Sequence, residues 1–405
     1  MARTTKSKKF LLILFIIFIG AIAYTINKPG KIDPSKKATH SDAKSSSKAA
    51  DNKGSISMLL TGDWIAHDSV NTAAKQPSGV YDYSSLVSAY QPLFNQTDIK
   101  FCNDPILNGG AALGITGYPK FNSPTDFVSN MGSFGCNLVN IASNHSFDFT
   151  QANIDASVDA WAKVPNMLAV AGENKNLEQH DKINYFTQKG VKFAFLAYTA
   201  YSNSPPTNGY GVNEYSEVVA GSQIQQAKAG GAQIIIVSMR WGVEYSATVS
   251  PAQEKAAQFL ADQGANLVIG HGPHVLQPVQ ELSGTGGNKT LVWYSVGNFL
   301  NSQVPPETLF NGVGLLDIDT KSFAIKPVGF LPFNVHYEWT AEQARADDTN
   351  ARKNLKMYLL ENTTQSLIDS QQLKTTVSEQ RQRMTTTLSA RGQIIPLISL
   401  KQALR

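Results

Sequence analysis

The chain has 405 residues and a net charge of +4, enough length for one large α/β domain with an appendage, or for two domains. The charge is unevenly spread. Of 35 Lys+Arg and 31 Asp+Glu, 11 and 3 fall in residues 1–53, leaving 24 against 28 beyond them, which excludes a basic nucleic-acid-binding domain.

In chain order, Arg3, Lys6, Lys8 and Lys9 precede an uncharged, mostly apolar run over residues 10–26. As a helix it would span about 25 Å, close to the ~30 Å hydrocarbon core. Positive charge before the run keeps that end cytoplasmic and predicts that the rest faces outside. A cleaved signal peptide is the competing reading, but its small-x-small site, Ala21-Ile22-Ala23, would fall inside the run. The expectation is a single-pass membrane anchor over 1–28. Residues 29–53, rich in Lys, Ser, Ala and Asp without apolar period, read as a flexible stalk.

From residue 54, short apolar runs alternate with longer amphipathic ones. Strands are predicted at 56–61, 98–102, 137–142, 167–171, 191–198, 232–238, 265–270, 290–295, 313–318 and 324–329. Helices are predicted at 84–94, 124–132, 150–163, 215–229 and 251–263. The alternation argues for a layered α/β domain over 54–340. Ser250, Pro251 and Glu254 mark a helix start, and Gly264 its end. Residues 341–405, rich in Gln, Thr, Arg and Ser, read as a helical appendage without chemistry. Cys102 and Cys136 fall beside predicted strands. Export would permit a disulfide, but free buried thiols are favoured.

Ligands of open α/β sheets bind beyond the carboxyl ends of the strands, and several predicted strand ends carry chemistry. Asp63 follows Gly62 after the first strand and can ligate a metal or hold a histidine. Asn144-His145, with Asp148 three residues on, offers an amide, a general acid and an orienting carboxylate. Arg240, before Trp241-Gly242, can clamp a phosphate or carboxylate, and Glu244 can act as base, ligand or orienter. His271 and His274, in Gly270-His271-Gly272-Pro273-His274, are spaced as imidazole ligands. Gly297-Asn298 predicts a turn that aims Asn298 at the site. There is no Gly-x-Ser-x-Gly elbow, His-Glu-x-x-His motif, phosphate-binding glycine loop or cysteine cluster, which excludes the matching enzyme classes.

These motifs, with Phe101-Cys102-Asn103 and Tyr118-Pro119-Lys120-Phe121-Asn122-Ser123-Pro124, resemble in order and spacing the capsule-biosynthesis CapA family, associated with poly-γ-glutamate synthesis. The resemblance implies a layered β-sandwich core flanked by helices, of calcineurin-like metallophosphoesterase architecture, behind an N-terminal transmembrane helix. It implies Asp63, Asn144, His145, Glu244, His271 and His274 as the site; on an enzyme reading a divalent metal (Mn, Zn or Fe) is held by Asp63, Asn144, His271 and His274, with His145, Asp148, Glu244 and Arg240 as the catalytic set and Asn103, Asp104 and Asn298 against the substrate. It also implies an anchored extracytoplasmic protein that works with membrane synthetase subunits on an anionic polymer such as poly-γ-glutamate.

Three positions depart from the family pattern. Arg240 stands where a histidine is usual, Asp104-Pro105 replaces a glutamate after Asn103, and Gly272 replaces the second of two adjacent histidines. The fixed charge of Arg240 repels a metal and favours an anion. Two expectations stay open: a metal-dependent phosphoesterase-like hydrolase or transferase, and a non-catalytic factor that binds the polymer.

Overall fold

The computed structural model describes residues 54–405, so the anchor expected over 1–28 and the stalk over 29–53 lie outside the described residues. No helix among the described residues is long and apolar enough to cross a membrane. The described chain is an α/β fold built on two mixed sheets.

In chain order the first sheet takes β1 (Ser55–Trp64), β2 (Ile99–Asn103), β3 (Leu138–Asn140) and β4 (Ala169–Ala171). The second takes β5 (Asn184–Gln188), β6 (Val191–Thr199), β7 (Ile234–Arg240), β8 (Leu267–His271), β9 (Val279–Ser283) and β10 (Lys289–Trp293). The chain then returns to the first sheet with β11 (Asn298–Leu300), β12 (Phe310–Asp319), β13 (Ile325–Glu338) and β14 (Lys353–Leu359). The first sheet runs β14-β13-β12-β1-β2-β3-β4, with β11 also paired to β1, and the second runs β5-β6-β7-β8-β10-β9. β1 to β4 are mutually parallel, as are β6, β7, β8 and β10.

Strand alternation assigns the faces. Ile234 and Ile236 of β7, with Leu267 and Ile269 of β8, join the core shared with the first sheet. Ile235, Val237 and Val268 pack instead on Ala220, Ile224, Ala257 and Leu260 of helices Glu217–Ala229 and Pro251–Gln263. The two sheets touch through Phe101 and Phe195, 6.2 Å between ring centroids, and through Trp293 and Phe330 at the same distance. The first pair is edge-on and the second stacked, and aromatic pairs in either arrangement add about 0.5–1.5 kcal/mol beyond their burial.

The helix start at Ser250 is a reciprocal cap. Its Oγ accepts from Gln253 N–H and Gln253 Oε1 accepts from Ser250 N–H, so Gln253, not Glu254, completes it. The helix predicted over 84–94 is instead three short pieces, Ser84–Val87, Ser88–Tyr90 and Gln91–Gln96. Pro92, which lacks an N–H, sits at the start of the last piece. Residues 341–405 hold helices, but also β14, which pairs with β13 and corrects the reading of a wholly helical appendage. Cys102 and Cys136 are joined in a disulfide, which corrects the favoured reading of free thiols. The β2–β3 register that pairs Cys102 with Val139 brings Cys136 to a Cα–Cα distance of 5.8 Å, inside bridging range.

Candidate functional site

Strand register assembles the site. Asp63, Asn103 and Asn140 pair across β1, β2 and β3, and Asp63 also pairs with Asn298 of β11. In the second sheet Arg240 pairs with His271. All lie at strand ends, and all are buried. Gly62 permits the close approach of β1 to the β11 turn, since a Cβ there would stand 2.1 Å from the Gly297 carbonyl oxygen.

A directional chain of amides runs through the first row. Asn103 donates through Nδ2 to Asp63 Oδ1 at 2.6 Å, and Asn140 donates through Nδ2 to Asn103 Oδ1 at 2.6 Å. Asn140 Oδ1 accepts from Ala142 N–H, which fixes that amide's orientation. The same Asn140 Nδ2 lies 2.7 Å from His271 Nε2, and Ser238 Oγ lies 2.9 Å from it. An amide nitrogen only donates, so His271 Nε2 must accept. Burial holds His271 neutral, lowering its pKa to about 3 against the opposing pull of Asp63. Its single ring proton therefore sits on Nδ1, buried without a hydrogen-bond partner and 4.0 Å from Asp63 Oδ1.

His274 is the opposite case. Its pKa is raised: burial pulls it down, but the Asp63 and Glu244 carboxylates outweigh burial. Its Nδ1 stands 2.7 Å from Asp63 Oδ2 and 3.0 Å from Asn298 Oδ1. Only the Asn298 contact is aligned as a hydrogen bond, so Asp63 Oδ2 keeps a charge contact without one. Asp63 itself is held below its ordinary range despite burial, mainly by His274. The backbone of His274 has φ +62°, a left-handed conformation uncommon for a side-chain-bearing residue.

Arg240 is fully buried. Its Nε donates to Asn144 Oδ1 at 2.8 Å, and its Nη2 reaches Glu244 Oε1 at 3.3 Å. Among the described residues Nη1 has no partner, and neither has Asn144 Nδ2. The guanidinium fills the space beside Gly272, where an added Cβ would meet Nη1 at 1.8 Å, and Gly272 has φ +116°. Two of the three departures from the family pattern are thus one event in space: the missing side chain at 272 makes room for the arginine.

His145 and Asp148 form the expected pair, with Nδ1 2.7 Å from Asp148 Oδ2. Asp148 Oδ2 also accepts from Phe121 N–H, which holds the carboxylate in place. With its proton directed at Asp148, His145 offers the Nε2 lone pair outward, 3.5 Å from Asn203 Nδ2. Before these strand ends opens a cavity of about 440 Å³, walled by Asn144, His145, Glu244 and His274 and by the rings of Tyr118, Phe121 and Tyr245. His67 and Asp68 also face it. A larger cleft of about 800 Å³ elsewhere has only Lys100, Asp159 and Lys163 as charged groups, and no polar constellation converges there.

Asp104 does not join the site. Its Oδ2 accepts from Asn108 Nδ2 at 2.7 Å and Trp161 Nε1 at 3.0 Å, inside the protein, and burial pushes its pKa up to about 8. Its placement against substrate is corrected: it follows β2, where the backbone aims it at the helix carrying Trp161. Asn140 and Ser238, absent from the expected set, decide the state of His271. Both interrupt apolar strands at their carboxyl ends, the signal that marked Asp63.

The implied metal does not fit this donor set. Among the described residues no group of three or more His, Cys, Asp or Glu converges as a metal ligand set. The chemistry explains it. Asn144 spends its oxygen on Arg240 and presents only its N–H groups. His271 presents N–H because its lone pair faces Asn140, whereas a ligating histidine donates from its other nitrogen. His274 stands between the Asp63 and Glu244 carboxylates, which raise its pKa against burial. Donors and positive charge gather where a metal needs lone pairs.

The model of the bacterial capsule synthesis protein family PGA_cap matches residues 57–303, more than half of the chain. The chain belongs to this family. Over 170 residues it is 31% identical to the PGA biosynthesis protein CapA of Bacillus subtilis (strain 168), covering 41% of this chain and 43% of that protein. Over 175 residues it is 28% identical to the capsule biosynthesis protein CapA of Bacillus anthracis, covering 42% and 41%. The matches thus span about two-fifths of each relative's length. Among solved structures it is similar to the NAD nucleotidase NadN of Haemophilus influenzae (14% identity, TM-score 0.45, 82% of this chain and 61% of that one). It is also similar to the calcineurin-like phosphoesterase YfkN of Bacillus subtilis (16%, 0.38, 69% and 90%). The PGA_cap match covers every strand end of the site, from Asp63 to Asn298.

Proposed function

We propose that this capsule-synthesis protein binds an acidic unit of a poly-γ-glutamate-type envelope polymer at the strand ends, as a binding factor for a membrane synthetase rather than as a metal-dependent hydrolase. The observation that carries this reading is Asn144, which lines the cavity with a buried, unpartnered Nδ2 while its Oδ1 is held by the buried Arg240, whose Nη2 reaches the half-exposed Glu244. Buried donors without partners are costly and are found where a ligand satisfies them. The guanidinium suits carboxylate geometry, and the aromatic walls suit the methylene stretches between the carboxylates of such a chain.

In this reading residues 1–28 tether the chain, and the domain works outside the membrane beside the synthetase. The basic and apolar order of the N-terminus supports the tether. The Cys102–Cys136 disulfide supports the location, since such bonds persist in oxidising compartments. The test is calorimetric titration of the full chain with a γ-linked glutamate oligomer and with neutral dextran. The reading requires saturable binding of the oligomer alone, lost in Arg240→Ala, and equal binding in that variant would reject it.

The His145–Asp148 pair favours a second reading, turnover of the bound polymer, with His145 Nε2 accepting a proton. Incubation of the full chain with the oligomer, followed by chain-length analysis, should show shortening that His145→Ala abolishes. An unchanged length distribution leaves binding as the function.

A further inference from the structure

One of the chain's own carboxylates, Glu244, stands against Arg240 and His274. Glu244 Oε1 lies 3.3 Å from Arg240 Nη2 and 3.8 Å from His274 Nε2, between two side chains that are 1% and 8% exposed. Glu244 itself is 44% exposed. Well-made charge-assisted bonds of this type measure about 2.7–2.9 Å, so both contacts are loose. The contrast lies within one side chain, because Arg240 holds Asn144 at 2.8 Å through Nε while holding Glu244 poorly.

Glu244 also stands on a segment built to present it. Gly242 and Tyr245 on either side have positive φ, +83° and +62°, and Tyr245 N–H is pinned to the Pro273 carbonyl. Val243 and Tyr245 at the loop tip are exposed at 60% and 51%. Asp63 already faces His274, which leaves Glu244 as the counter-charge of Arg240.

We propose that Glu244 is an internal stand-in for the ligand's oxyanion: it covers Arg240 and His274 in the free protein, and a carboxylate or phosphate group displaces it on binding. The segment Trp241-Gly242-Val243-Glu244-Tyr245 is then a self-occupying gate, which disfavours stray anions and rewards a ligand bearing several carboxylates. This rests on the anion-binding reading above.

The test is calorimetry on the full chain, wild type and Glu244→Gln, at fixed ionic strength, with a γ-linked glutamate decamer and separately with inorganic phosphate. Removing the competing charge should tighten binding about tenfold, the scale of one lost charge contact. The gain should shrink as salt is raised. The probe that shows the gain identifies the source of the oxyanion. Glu244→Gln keeps the shape of a half-exposed side chain, and an unchanged melting temperature checks that the fold is retained. Wild-type binding with equal or weaker binding by Glu244→Gln overturns the gate alone. Absence of binding by either protein to either probe overturns the anion site and the gate together.

Discussion

At the scale of single residues, the site is decided by hydrogen-bond direction rather than by residue type. His271 was legible as a functional residue from its place at a strand end. Its protonated nitrogen was not, because that depends on Asn140, which lies 131 positions away in sequence. Gly272 is the hinge of the arrangement. Gly272→Ala places a Cβ into Arg240 Nη1 and the Trp241 carbonyl on a backbone of φ +116°. It should lower stability by about 1–3 kcal/mol and weaken oligomer binding, read together by chemical denaturation and calorimetry; wild-type values for both would show that the guanidinium has room to spare. Asp104 supplies a pH test. Its folded pKa, about 8, lies above the ordinary 3.8, so the folded state keeps a proton that the unfolded chain releases. Its favourable contribution is complete below about pH 4 and is lost as pH climbs through 8. Stability of Asp104→Asn should therefore rise relative to wild type across that window, by a few kcal/mol. A pH-independent difference between the two denaturation series would contradict the assignment.

At the scale of elements, the strands that are apolar on both faces were legible, and all ten expected strands exist. The four that escaped were edge or very short strands. β5, β9 and β14 lie at sheet edges and expose alternate side chains, Tyr185 and Thr187 in β5, Glu281 and Ser283 in β9, Asn354 and Lys356 in β14, while β11 has only three residues. Boundaries moved where tertiary contacts overrode pattern: β3 stops at Asn140, and β13 runs on to Glu338. The disulfide belongs to this scale because it ties β2 to the entry of β3. It closes a loop of 34 residues, and its removal in Cys102→Ala/Cys136→Ala should cost about 3–4 kcal/mol. Equal denaturation midpoints with and without the bond would mean that packing alone fixes the register.

At the scale of the whole molecule, the site depends on two sheets meeting, and the C-terminal region completes one of them. Leu355, Met357 and Leu359 of β14 are buried, as are Ile368, Met384 and Leu388 beyond it. At about 1.5–3 kcal/mol each, these six side chains contribute roughly 10 kcal/mol, comparable to the total stability of a typical domain. Truncation after residue 352 should leave β13 as an open edge and give aggregated protein on size exclusion, whereas a monomeric, cooperatively melting product would restore the picture of a dispensable appendage. Composition alone could not show this, because the Gln- and Thr-rich helices hide one short strand among polar neighbours. In the proposed reading the strand ends hold an oxyanion on Arg240 without help from a metal. It is tested most directly by the affinity of the chelator-stripped full chain for a γ-linked glutamate oligomer, with and without added manganese or zinc. The same affinity is expected in all three conditions. Binding that vanishes on chelation and returns with either metal would contradict it.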